Sequence, residues 1–280
     1  MNLFIDYGIK LRVDEYAKDG MIYCKKCHTQ RLFVSEDKKF VVRCLCKCQS
    51  EEREKQIELE KQKQRLEKVK QLKEMSLLGR KYKNSTFANL DLNRPESFLK
   101  AVKRCQAYCQ AWDEIRNKGY GLYLYGDVGT GKTELMACIC NYLTEKFVPV
   151  IITNFLEISK KLRASYTNDI ETENDIIERL AKVDLLILDD VGSEKLKKKD
   201  NTDSFMQEKI YDIINRRYIN QMPTLFTSNY CIQDLLDERG FEERTVDRIA
   251  EMSNAVIKLD GDSYREIVCR RKTKEALWKQ

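Results

Sequence analysis

The 280-residue chain has only three prolines, one histidine and eleven glycines, so little in it interrupts regular structure. With 34% of residues charged, that scarcity suits a helix-rich globular protein. No apolar run reaches the roughly 18 to 20 residues of a membrane span. The start "MNLFIDYGIKLRVDEYAK" carries acids where a signal peptide needs an unbroken apolar core. The expected location is the cytoplasm, with no membrane partner. A strong excess of one charge is also missing. The 51 basic and 45 acidic residues leave a net charge of +6, which permits nucleic-acid contact without demanding it.

Cysteine, by contrast, is plentiful. Eleven thiols cannot all pair within one chain, and a reducing compartment disfavours pairing, which leaves metal binding or burial. Residues 1 to 48 hold Cys24, Cys27, Cys44, Cys46 and Cys48 beside β-like pieces such as "RLFVS" and "FVVRCL". Cys24 and Cys27 form a C-x2-C pair, and the later three thiols begin seventeen residues on. Two such pairs offer four thiolates to a tetrahedral Zn²⁺, which suits a module too small to bury much core. By spacing, any two of Cys44, Cys46 and Cys48 complete the set. His28, next to Cys27, reads as a surface residue. Cys105, Cys109, Cys138 and Cys140 fall in amphipathic stretches and read as small core residues.

The chain divides into residues 1–48, a charged linker over 49–79 and a larger domain over 80–280. The linker sequence "QSEEREKQIELEKQKQRLEKVKQLK" lacks Gly and Pro and alternates acid with base at i,i+4, as a solvated helix does. Leu59, Leu66, Val69 and Leu72 lie near heptad spacing, but over too few heptads, so a connecting helix is expected. Beyond it, short apolar runs ("GLYLYG", "VPVIITN", "DLLILDD", "PTLFTSN", "AVIKL") alternate with amphipathic helices, the first being "SFLKAVKRCQAYCQAWDEI". That alternation is expected of an α/β domain with a parallel sheet covered on both faces.

The sharpest motif is "GDVGTGKT", comprising Gly126, Asp127, Val128, Gly129, Thr130, Gly131, Lys132 and Thr133. It matches G-x-x-x-x-G-K-[ST] at every fixed position, with an apolar strand before it and a helix after, as an ATP-binding P-loop requires. The glycines let backbone amides turn onto phosphate oxygens, and the helix N-terminus adds a favourable dipole. Lys132 is placed to reach the β/γ-phosphates and Thr133 to ligate Mg²⁺. About fifty residues later "LLILDD" ends a buried strand in two acids. Asp189 is the candidate Mg²⁺ partner, and Asp190 the candidate general base for the attacking water. "TLFTSN" brings Ser228 and Asn229 to another strand tip, where a polar side chain can orient that water.

"GDVGTGKT", "LLILDDVGSE", "TLFTSN", "RTVDRI" and "DSYR", in this order, resemble the DnaC/DnaI-type replicative helicase loaders. These are AAA+ ATPases in a clade that includes the IstB-type transposition helpers. The similarity spans roughly residues 80 to 270 and implies a P-loop AAA+ three-layer αβα domain. It further implies that Asn229 is the sensor-1 residue, Arg248 the arginine finger acting on a neighbouring subunit, and Arg265 the sensor-2 arginine. Arg244 lies one helical turn before Arg248, on the same face. The second acid of the metal-binding strand is Asp190, where many AAA+ proteins have Glu, so slow hydrolysis is expected. With Cys46 and Cys48 as the second pair, the N-terminal cysteines resemble the zinc modules of DnaI-like and phage loaders, leaving Cys44 spare.

The resemblance therefore implies an ATP-dependent loader with an N-terminal zinc domain that engages a hexameric DnaB-type helicase. Contact with single-stranded DNA and ATP-dependent homo-oligomerisation come with it. "KLKKK" (195–199) and "RRK" (270–272) are candidate phosphate contacts. The alternatives are an IstB-type helper of transposition and a zinc-bearing adaptor that holds ATP as a structural ligand.

Overall fold

The computed structural model describes residues 8–35, 40–75, 82–166, 171–193 and 201–264, without the side chains of 65, 68–75 and 201–204. The chain forms two compact units, Met1–Gln64 and Arg65–Gln280. The division falls inside one long helix.

In the first unit, strands β1 (Glu15–Lys18) and β2 (Met21–Cys24) form an antiparallel hairpin, as do β3 (Leu32–Val34) and β4 (Val41–Arg43). The sequence marked β-like pieces only at the second of these, because four-residue strands such as "EYAK" carry little alternation. The signal for the first was the Asp19-Gly20 dipeptide, whose residues take φ of 51° and 75°, the left-handed pair that a tight hairpin requires. Ile22 and Leu32 are buried, and Arg31 beside them pairs with Asp14 at 2.6 Å and Glu15 at 3.2 Å. Helix α1 (Lys47–Met75) follows, with every side chain from Glu51 to Gln64 exposed, as expected for a helix polar on all faces.

In the second unit come α2 (Glu96–Gln110), α3 (Trp112–Lys118), β5 (Leu122–Gly126), α4 (Lys132–Glu145), β6 (Val150–Thr153), α5 (Phe155–Ser165) and α6 (Glu173–Lys182). They are followed by β7 (Leu185–Val191), α7 (Asn201–Ile219), β8 (Thr224–Ser228), α8 (Ile232–Asp237), α9 (Glu243–Met252) and β9 (Ala255–Leu259). The stretch read as one helix breaks at Ala111, with Trp112 and Ile115 buried beyond the break. The stretch contains neither Gly nor Pro, so no strong local signal marked the break.

The five strands pair in parallel in the order β6-β7-β8-β5-β9. Alternate residues of each strand serve opposite faces. Leu122 and Leu124 join a core with Phe98, Leu135 and Ile139 from α2 and α4, whereas Tyr123 joins one with Ile176, Ile210 and Ile249 from α6, α7 and α9. Cys105, Cys109, Cys138 and Cys140 are buried in the first of these cores. Their thiols carry the pKa signature of burial: Cys109 and Cys138 are both pushed up to about 12 by desolvation. Parallel pairing sends the C-terminal tips of β5, β7 and β8 to one edge, where ligands bind in sheets of this kind. Among the described residues no helix is long and apolar enough to cross a membrane.

Candidate functional site

The phosphate loop begins where β5 can no longer carry a side chain. Gly126 has φ 141°, and a Cβ there would meet the Leu259 carbonyl oxygen at 2.0 Å. The chain then loops to Lys132, the first residue of α4. The Lys132 side chain is buried and its Nζ donates to the carbonyls of Gly126 (2.7 Å) and Asp127 (2.8 Å) and to Asn229 Oδ1 (2.9 Å). The ammonium is thus held at the mouth of the loop by the carbonyl oxygens of Gly126 and Asp127 and the Asn229 side chain.

β7 delivers the two acids through an irregularity. Its register with β8 shifts between Leu188 and Val191, and Asp190 takes φ 58°, a conformation uncommon for a residue with a side chain. Thr133 Oγ1 donates to both Asp189 oxygens at 3.1 Å. Burial pushes the Asp189 carboxyl above the usual carboxylate range and Asp190 adds to this, while hydrogen bonds from Thr227 and Thr133 and the charge of Lys132 pull it back. Asn229 joins the two halves, accepting from Lys132 and donating from Nδ2 to Asp190 Oδ1 at 3.3 Å. Lys132, Thr133, Asp189, Asp190 and Asn229, far apart in the sequence, therefore form one hydrogen-bonded cluster.

Thr227 was missed in the sequence. Its Oγ1 donates to Asp189 Oδ1 at 2.5 Å and accepts the Asp190 backbone N–H at 2.8 Å. A Thr in an apolar strand reads as a β-former, and only strand pairing shows that it faces both acids.

The donors fit a nucleotide and Mg²⁺. A hydroxyl and a carboxylate already in contact are the hard oxygen ligands that Mg²⁺ takes, and Gly126, Gly129 and Gly131 all take positive φ, the backbone freedom a phosphate-binding turn uses. Thr133 and Asp189 would hold the ion, and Lys132 would meet the phosphates.

The two arginines of α9 are engaged elsewhere. Arg248 stacks on Tyr218 of α7 at 4.2 Å and pairs with Glu251 at 2.7 Å, and Arg244 stacks on Tyr211 at 4.2 Å and pairs with Glu242 at 2.6 Å. Among the described residues, these contacts do not bring either to the P-loop of its own chain. Arg265, Lys195 to Lys199 and Arg270 to Lys272 lie outside the described residues.

In the first unit, Cys24 ends β2, Cys27 lies in the following turn, and Cys46 and Cys48 flank the start of α1. Their four Sγ atoms lie within 4.8 Å of one another, with Cys24 to Cys48 at 3.7 Å and Cys46 to Cys48 at 3.2 Å. A tetrahedral Zn²⁺ with bonds of about 2.3 Å holds its sulfurs about 3.8 Å apart, so the set fits that ion. Cys44 faces the Gln30 carbonyl at 3.7 Å, and exposed His28 meets Tyr16 at 3.2 Å, so both lie outside the cluster. The Thr29 hydroxyl, 3.0 Å from Cys27, and the Cys48 backbone hold the Cys27 thiol down to about 5. Cys48 is pushed up to about 12, first by Cys46 and then by burial. Four crowded thiols resist becoming four thiolates until a dication compensates them.

The family model described as "IstB-like ATP binding protein" matches residues 49–274. The replicative helicase loader DnaI of Bacillus subtilis is 30% identical over 210 residues, covering 70% of this chain. The aligned part of this chain spans 64% of that relative's length. The replicative helicase loader DnaC of Escherichia coli is 26% identical over 188 residues, 67% of this chain and 71% of its own. A crystal structure of DnaI matches with a TM-score of 0.53 at 26% identity, over 67% of this chain and 94% of that one.

Proposed function

Because the chain belongs to the IstB-like ATP-binding proteins and carries the P-loop AAA+ fold, we propose that it is an ATP-dependent loader of a DnaB-type hexameric helicase. In this reading it acts in the cytoplasm and places the helicase on single-stranded DNA at the start of replication. The observation that carries the chemistry is the cluster of Lys132, Thr133, Asp189, Asp190 and Asn229. The relatives named as loaders support the biological setting.

Lys132 and the amides of residues 126 to 133 bind the triphosphate, with Thr133 and Asp189 as the Mg²⁺ ligands. Bound Mg²⁺ supplies neutralisation of charge on the phosphate oxygens. Asp190 accepts a proton from the attacking water, and its turned backbone sets the carboxylate beside Asn229. Asn229 orients that water and ties it to the lysine. Arg248 acts on the site of an adjacent subunit in a homo-oligomer, and Arg265 on its own nucleotide. A guanidinium suits both roles, since its planar fork stabilises spread phosphoryl charge.

Hydrolysis is slow in this reading, because Asp190 is shorter than Glu, and DNA or the partner regulates it. ATP binding favours the assembled, DNA-engaged state, and hydrolysis releases the loader. Residues 1–48 form the zinc-binding, helicase-contacting domain, 49–79 the helical linker and 80–280 the ATPase domain. Cys24, Cys27, Cys46 and Cys48 are the zinc ligands.

Loading of the cognate replicative helicase onto closed circular single-stranded DNA tests this reading. ATP-dependent loading that Lys132→Ala abolishes is expected. The matched family's IstB description favours a second reading, a helper of transposition. Stimulation of a transposase without any helicase association would replace the first reading by the second.

A further inference from the structure

The nucleotide loop is flanked by two different walls. In the sheet, β8 and β7 lie on one side of β5 and β9 on the other. The acids, Thr227 and Asn229 come from the first side. On the second side, residues 260–264 leave β9, and Ser97 Oγ donates to the Asp260 carbonyl at 2.8 Å, tying the start of α2 to that segment. The Tyr264 N–H donates to the Gly129 carbonyl at 3.1 Å, and the Tyr264 hydroxyl donates to Asp91. Residues 91–98 and 260–264 thus form a wall against the P-loop.

Arg94 is buried in that wall, its side chain only 2% exposed. The guanidinium lies 4.1 Å from the Phe98 ring and 3.7 Å from the Tyr264 ring. Its Nη2 donates to Glu134 at 2.6 Å, two residues past Lys132. Nη1 abuts the loop itself, since a Cβ on Gly131 would lie 2.5 Å from it. Nε and Nη1 have no hydrogen-bond partner among the described residues. A buried N–H without an acceptor is unfavourable, and two on one clamped side chain point to a ligand.

The chemistry of that ligand follows from the charges. Glu134 balances the arginine, so its idle donors suit an uncharged oxygen or ring nitrogen better than another phosphate. The triphosphate belongs with Lys132, Thr133 and Asp189, on the side of β8 and β7. A nucleoside that left the loop on the other side, along Gly131 and Glu134, would meet Arg94, which adjoins both residues.

We propose that Arg94 is the nucleoside-positioning residue of this P-loop. It donates through Nε or Nη1 to an uncharged acceptor on the base or ribose of a bound nucleoside triphosphate, while Phe98 and Tyr264 hold the guanidinium plane. This rests on the nucleotide reading above.

Calorimetric titration of the full chain with Mg²⁺-ATP and with Mg²⁺-tripolyphosphate tests it, because tripolyphosphate fills the phosphate subsites alone. Arg94→Lys keeps a charge for Glu134 but loses the planar stack, and Tyr264→Leu removes one face of the clamp. Each variant is expected to raise the Kd for ATP about tenfold or more while leaving that for tripolyphosphate within about twofold. An unchanged ATP affinity in both variants, or an equal loss for tripolyphosphate, overturns the proposal. Thermal melting identifies a variant that fails to fold, and the other variant then decides. Wild type binding neither ligand would overturn the nucleotide reading itself, and this proposal with it.

Discussion

The hydroxyl of Thr227 lies 2.5 Å from Asp189 Oδ1 on the neighbouring strand. Thr227 Oγ1 in turn accepts the Asp190 N–H at 2.8 Å, so one side chain sets both acids. Thr227→Val keeps shape and β-propensity but removes this link. ATP turnover is expected to fall about tenfold or more, with about 1–3 kcal/mol lost from stability by leaving the Asp190 amide unpaired. Steady-state hydrolysis and urea unfolding measure the two effects. Unchanged turnover would show that Thr227 has no part in placing the acids.

Asp190→Asn separates binding from chemistry. The amide keeps the size of the side chain but cannot take a proton, so hydrolysis is expected to drop about a hundredfold or more while ATP still binds. Turnover and ATP affinity measured on one preparation check this. If turnover persists, the base assignment is wrong.

The arginine-finger role proposed for Arg248 makes a prediction about mixtures. Arg248→Ala has an intact phosphate site, and Lys132→Ala has an intact Arg248. Both alone are expected to be nearly inactive, whereas a mixture of the two recovers part of the turnover as each arginine reaches a neighbour's site. A mixture as inactive as its components would sink the role across subunits.

Zinc content and thiol reactivity report on the N-terminal module. One zinc per chain is expected by elemental analysis, and Cys24→Ser should lose it. Alkylation mapped by mass spectrometry should label Cys44 in the untreated protein and Cys24, Cys27, Cys46 and Cys48 only after chelation. Cys109 and Cys138, pushed up to about 12 by burial, should stay unlabelled at pH 8 until the protein unfolds. Labelling of all four clustered thiols before chelation would argue against a bound metal.

Arg217 supports the sheet from the edge opposite the site. It is fully buried and donates to the carbonyls of Leu180 (2.8 Å), Ala181 (3.2 Å), Val183 (2.8 Å) and Pro223 (2.6 Å) and to Thr224 Oγ1 (2.9 Å). These acceptors lie at the end of α6 and at the entries to β7 and β8. Arg217→Met leaves them unpaired in the core, and a loss of about 3–5 kcal/mol is expected in urea unfolding. A change below about 1 kcal/mol would mean that water replaces the arginine freely.

Much of this was legible because it is written in local pattern. "GDVGTGKT" between an apolar strand and a helix marks a phosphate loop, since glycine spacing and a lysine at a helix start suffice for that geometry. Alternating apolar runs and amphipathic helices likewise announce a covered parallel sheet, and the C-x2-C pair with three further thiols announces a metal-competent cluster. The hairpin at Asp19-Gly20 and the break at Ala111 were not seen, because four-residue strands give weak signals and the stretch around Ala111 has no Gly or Pro to mark an end.

By itself, then, the sequence determined the kinds of element and the chemical types available, because periodicity, turn chemistry and motif spacing depend on neighbours in the chain. Which groups meet was decided by the tertiary structure. Lys132 reaches Asn229 across 97 residues, Thr227 reaches Asp189 across 38, and Tyr264 closes over Arg94 from the far end of the domain. The choice of Cys46 and Cys48 over Cys44 likewise depended on where α1 begins relative to β2. Strand order and helix packing bring such residues together, and no local preference of a threonine, an arginine or a cysteine encodes the partner it will face.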